Sequence, residues 1–128
     1  MAKSIMKTKA SLYLKQAKEF LDSAEESMMA GRYNVAAFIA IQSLINSNDA
    51  FTIYVLGFRA SMDHRECLKL HSDAATIIKD PSQKENLRSA LDMRSHAGYM
   101  GEAISKRDAE RLLRSAVVFH EWTKSKLL

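Results

Sequence analysis

The run LDMRSHAGY, from Leu91 to Tyr99, sets an arginine, a histidine and a tyrosine close together. Cleaving RNA without a metal needs a base for the 2′-hydroxyl proton, an acid for the leaving oxygen and a cation for the developing phosphorane charge. Arg94 can supply only the cation, because a guanidinium does not deprotonate near neutral pH. His96 has a side chain suited to proton transfer. Tyr99, with an ordinary pKa of about 10, needs a large downward shift to act as a base. On a regular helix Arg94 and His96 point roughly 200° apart and Arg94 and Tyr99 roughly 140° apart. Neither pair converges on a straight helix, although a kink near Gly98 could bring them together. His96 reads either as a displaced base or as a surface or capping histidine.

Asn46 and Asp49 lie three residues apart in an otherwise apolar segment and share a face if that segment is helical. Buried polar groups must find partners, and Arg94 is a candidate. Two readings stay open: a polar cluster of Asn46, Asp49, Arg94 and Tyr99 that recognises nucleotide or RNA, or an ion pair that pins two helices together. Arg107, Arg111 and Arg114 form a basic stripe that could follow a phosphate backbone, but Asp108 and Glu110 interleave with it as on a solvated face. His64, His71 and His120 are scattered and lack the accompanying pattern of a metal site. Neither a metal nor a cofactor is expected. The lone Cys67 has no internal disulfide partner, as in a reducing compartment, and the cytoplasm is the expected location.

These residues need elements to position them. With 128 residues, 47% hydrophobic and 27% charged, the chain has the size and composition of one globular domain, expected to span residues 1–128. Four Gly and one Pro leave little turn chemistry for an all-β fold. The net charge of +4 permits a phosphate-bearing partner and is equally ordinary for solubility. The basic N-terminus lacks the apolar run of a secretory signal. No membrane span is expected, because Gln42, Asn46, Asn48 and Asp49 interrupt the most apolar stretch.

Tyr13, Ala17, Phe20, Ala24 and Met28 recur at helical spacing, which predicts a first helix over Lys7 to Ala30 ending at Gly31. Tyr33 to Leu56 is apolar on several faces, as a central helix is, and Gly57 to Met62 reads as a loop. Asp63 and Glu66 have capping-box spacing ahead of a third helix, His64 to Ile78. Asp80 and Pro81 predict the start of a fourth, and Ser105 with Asp108 the start of a fifth. The expected fold is all-α: an antiparallel up-and-down bundle of about five helices on a four-helix core.

In this order of elements the chain resembles the HEPN domains, small helical bundles found alone or beside minimal nucleotidyltransferases. AAFIAIQSLINSNDAFTIYVLG looks like the family's central second helix and DHRECLKL like its third. LRSALDMRSHAGY followed by ISKRDAERLLRSAVVFHEW is similar to a branch with arginine, four residues and tyrosine. The resemblance implies a homodimer whose cleft is lined by two copies of the fourth helix, where Arg94, His96 and Tyr99 could meet across the interface. Nuclease members carry an arginine, then four to six residues, then a histidine; here Tyr99, Met100 and Gly101 occupy the histidine places. The implied function is a non-catalytic or weakly catalytic module, in a toxin-antitoxin-like setting, that binds a nucleotidyltransferase partner, RNA or a nucleotide. A metal-independent endoribonuclease toxin using Arg94 with Tyr99 or His96 is the alternative, and a purely structural helical interaction protein is a third.

Overall fold

A computed structural model of the protein describes residues 2–60, 63–98 and 103–127, and of 95–98 the backbone alone. Helix α1 (Ala10–Met29) follows one 3-10 turn at Lys7–Lys9, so the expected first helix is two kinds of turn in succession. Ala17, Leu21 and Ala24 are its buried stripe. It ends as the sequence predicts, at Gly31 with φ 76°. The Gly31 and Arg32 N–H groups donate to the Met28 and Ser27 carbonyls at 3.0 and 2.9 Å, which removes two of the orphan acceptors at the helix end.

Helix α2 (Tyr33–Leu56) contacts each of the other four helices of the described residues, which explains its apolar character on more than one face. Its small residues Ala36, Ala37 and Ala40 are fully buried and let neighbours approach closely. The Ser43 hydroxyl, also fully buried, donates to the Ala17 carbonyl at 2.7 Å and fastens α2 to α1.

The stretch after Gly57 is not simply a loop. Phe58–Arg59 (β2) pairs antiparallel with Lys3–Ser4 (β1), Lys3 opposite Arg59 and Ser4 opposite Phe58. The Ile5 N–H also donates to the Gly57 carbonyl at 2.8 Å. Pairing gives the N-terminal arm partners for its backbone groups, and strands this short carry no alternation that a sequence could reveal.

Helix α3 (His64–Ile78) is capped by the Asp63 carboxylate, which accepts from the Arg65 N–H at 2.8 Å. Its last turn closes on Lys79, a non-glycine residue with φ 58°, while the Asp80 N–H donates to the Ala75 carbonyl at 3.0 Å. Helix α4 (Lys84–Gly98) begins later than Asp80 and Pro81 predict. Asp80 instead forms a turn: its carboxylate accepts from the Ser82 N–H at 3.1 Å and from the Trp122 indole N–H at 2.8 Å. Two partners outside a helix start hold the carboxylate away from a capping position.

Helix α5 (Lys106–Lys126) starts at its expected cap, with Ser105 Oγ accepting from the Asp108 N–H at 3.1 Å. Ala109, Leu112, Ala116 and Phe119 are its core face. The all-α bundle is as expected, with α1, α2, α4 and α5 as the core and α3 packed on α2 and α4. No helix of the described residues is long and apolar enough to cross a membrane.

Candidate functional site

A cleft of about 350 Å³ opens where α2, α3 and α4 meet the β2 strand. Ile45, Ala60 and Leu91 give it an apolar floor, and Asn46, Asp49 and Arg94 line it together. Three of the residues singled out in the sequence thus come from two helices far apart in the chain to one wall. His96 lies in α4 by its backbone, and Tyr99 lies outside the described residues.

Asn46 and Asp49 are nearly buried, each 7% exposed, as expected of neighbours on one face of the central helix. Asn46 is held from two sides: its amide donates to Gln16 Oε1 at 3.2 Å, and its carbonyl accepts from the Gln42 amide at 3.1 Å. Asp49 has no such carboxylate partner among the described residues. Burial raises its pKa to about 7, against an opposing pull from the Arg59 guanidinium. The ion pair of Asp49 with Arg94 that one sequence reading allowed does not form within 4 Å; the cation whose field reaches Asp49 is Arg59.

Arg59 carried no signal in the sequence, since it follows a helix end in a two-residue strand. The β1–β2 pairing fixes its backbone, and its guanidinium stands 5.9 Å from the centre of the Tyr13 ring. One of its terminal nitrogens donates to the Ala60 carbonyl at 3.1 Å, while Nε is buried with no partner among the described residues. A permanently charged donor without a partner among the described residues suits an acceptor.

His64 and Cys67 complete the α3 side of the cleft. The Cys67 thiol is pushed up to about 12, chiefly by burial and then by the Asp49 charge, with the Asn48 amide and the Arg94 charge opposing. A thiol so held stays protonated and is a poor nucleophile. The group fit to move a proton near neutrality is therefore Asp49. Arg59 and Arg94 supply fixed positive charge.

The basic stripe of α5 is elsewhere. Arg107, Arg111 and Arg114 are exposed, and Arg111 pairs with Asp108 at 3.5 Å, as on a solvated face. His71 and His120 are buried apart from the cleft, and burial lowers the pKa of both.

The profile of the HEPN domain matches residues 10–126, nearly the whole bundle. The chain belongs to the HEPN family. No curated protein matches it closely enough to add a more particular relative. Within this HEPN bundle the family arginine position that the sequence suggested, Arg94, is half-buried and lines the cleft together with Asn46 and Asp49 of α2.

Proposed function

We propose that the cleft binds the phosphate of a nucleotide or RNA strand, in a HEPN module that acts as a homodimer and without robust catalysis. The observation that carries this reading is the Nε of Arg59, buried and without a partner among the described residues, in a side chain that lines the same cleft as Arg94. Two guanidinium groups over an apolar floor, with the Asn46 and Gln42 amides beside them, suit a phosphate next to a base or sugar. Membership of a family found beside minimal nucleotidyltransferases supports such an enzyme as partner, in a toxin-antitoxin-like setting. RNA binding measured over a salt series tests the cleft. If each arginine meets one phosphate, Arg59→Ala and Arg94→Ala should each weaken binding and flatten the salt slope by about 0.7. Unchanged binding in both variants sinks the reading.

One observation favours a second reading, a metal-independent endoribonuclease. Asp49, with a pKa of about 7, can trade a proton at neutral pH, which is the task left open by the missing histidine. In that mechanism Asp49 takes the 2′-hydroxyl proton, Arg94 and Arg59 stabilise the phosphorane, and Tyr99, His96 or His64 protonates the leaving oxygen. Cleavage that persists in chelator and disappears in both Asp49→Asn and Arg94→Ala supports it. Intact RNA under those conditions, with the dimer confirmed by sedimentation, rules it out.

A further inference from the structure

We propose that anion binding in the cleft is coupled to uptake of one proton by Asp49, which in the complex is a neutral carboxyl donating its O–H to an oxygen of the phosphate. The coupling rests on the cleft's taking a phosphate and adds the protonation state in which it does so.

The geometry makes the coupling. Asp49 lines the cleft together with Asn46 and Arg94. It keeps 7% exposure, so its side chain still meets whatever enters the cleft although most of its hydration is gone. A cleft of about 350 Å³ has no room to keep a bound anion far from the carboxylate on its wall. Two negative charges so placed in a poorly hydrated site repel, as when two carboxylates share one site, with a ligand oxygen here in place of the second. One proton on Asp49 removes the repulsion and turns an acceptor into a donor.

The cations on the walls do not lift this constraint. One terminal nitrogen of Arg59 is given to the Ala60 carbonyl, and the guanidinium lies against the Tyr13 ring of α1. Its field favours the ionised carboxylate, but burial outweighs it, and the carboxyl of the free cleft titrates at about 7. Arg94 brings fixed positive charge from α4. On the α3 side, Asp63 is the only other carboxylate lining the cleft among the described residues, and it accepts from the Arg65 N–H as a helix cap. Cys67 stays a thiol, and His64 and Glu66 are the remaining titratable groups of that helix start.

The same coupling separates binding from base catalysis. A general base must be ionised when its substrate is bound, and a phosphate in the cleft drives Asp49 the other way.

The test is calorimetric titration of the full chain with the deoxy dinucleotide of adenine between pH 6 and 8, in buffers of low and high ionisation enthalpy. Its phosphodiester keeps one charge over this range, and without a 2′-hydroxyl it is not cleaved. The expected result is an affinity that falls about tenfold from pH 6 to 8, with uptake of about half a proton at pH 7. Asp49→Asn, a neutral donor of nearly the same shape, should bind with less than about twofold change over the range and about tenfold more tightly than the wild type at pH 8. The proton count is read on the wild type and stands whether or not the variant folds. Affinity indifferent to pH, binding without proton uptake, or a pH slope that persists in Asp49→Asn and is lost in His64→Asn overturns the coupling and leaves phosphate binding standing. No saturation by millimolar dinucleotide at any pH, in wild type and Asp49→Asn alike, overturns phosphate binding and the coupling with it.

Discussion

Asp49 and His71 are both buried on the inner side of the bundle, and loss of hydration is the main influence on the proton affinity of each. Their surroundings then diverge. His71 is clasped by Asn48 and three aromatic rings. Asp49, the next residue after Asn48, faces a polar cleft with cations on its walls and no carboxylate partner among the described residues. One end of α3 is built for packing and the other for ligand chemistry, although a single pair of adjacent residues on α2 serves both. Desolvation favours the neutral form of either group; the neighbours decide whether that stabilises the core or readies a proton.

The aromatic end should respond most to loss of volume. Phe119, fully buried against His71 and Trp122, should cost about 3–5 kcal/mol when replaced by alanine, read from urea unfolding. A loss below about 1 kcal/mol would mean that the ring cluster is not a packed part of the core.

Acid titration separates the two ends more finely. The Asp49 carboxyl, raised to about 7, contributes stability that is whole below the unfolded value of about 4 and gone once pH passes 7, a difference of up to about 4 kcal/mol. The His71 imidazole, lowered to about 4, contributes stability that is whole above about 6.5 and lost as pH falls through 4, up to about 3 kcal/mol. The two slopes oppose each other over the same window, so these sites together leave the native chain nearly flat between pH 4 and 7. Asp49→Asn should expose the histidine slope, with stability falling on acidification. His71→Phe should expose the carboxylate slope, with stability rising. Parallel slopes in the two variants would break the comparison. Asp80, held well below the usual carboxylate range by its hydrogen bonds to Ser82, Trp122 and Lys126, loses its contribution only as pH falls below about 4.

Asn48 joins the two ends, and Asn48→Ala should cost about 1–3 kcal/mol because it leaves His71 Nδ1 without its buried acceptor. The same change frees the Cys67 thiol from its amide donor, which is the influence that lowers its pKa most. Thiol labelling of this single cysteine across pH should therefore shift to higher pH in the variant, and an unchanged profile counts against the bridge.

How far the sequence disclosed all this depended on the range of the signal. Helix α2 and the Ser105 cap were legible because periodicity and capping are local, each written within a few turns of one helix. Asn46, Asp49 and Arg94 could be proposed together because buried polar groups on a central helix need partners. Arg59, Tyr13 and His64 could not, since they reach the cleft through a two-residue strand pairing, an α1 face and a helix start with no common spacing. Asp80 misled for a related reason: the residue types of a cap were present, but Trp122, far along the chain, claimed the carboxylate. His71 looked like one of several scattered histidines because its meaning lies in Asn48 and in the rings that surround it.

The smallest effect in stability is also a sharp test of which cations act. Arg111 is exposed and its pair with Asp108 lies in solvent, so Arg111→Ala should change stability by no more than about 0.5 kcal/mol. The α5 stripe and the cleft carry the same charged group at different depths. If position rather than net charge governs binding, Arg111→Ala leaves RNA affinity within about twofold at physiological salt, while Arg94→Ala, with the same change in net charge, weakens it about tenfold or more. Equal losses from the two variants would reduce the interaction to diffuse attraction by a basic protein. A loss confined to Arg111 would move the interface to α5, away from the half-buried cations of the cleft.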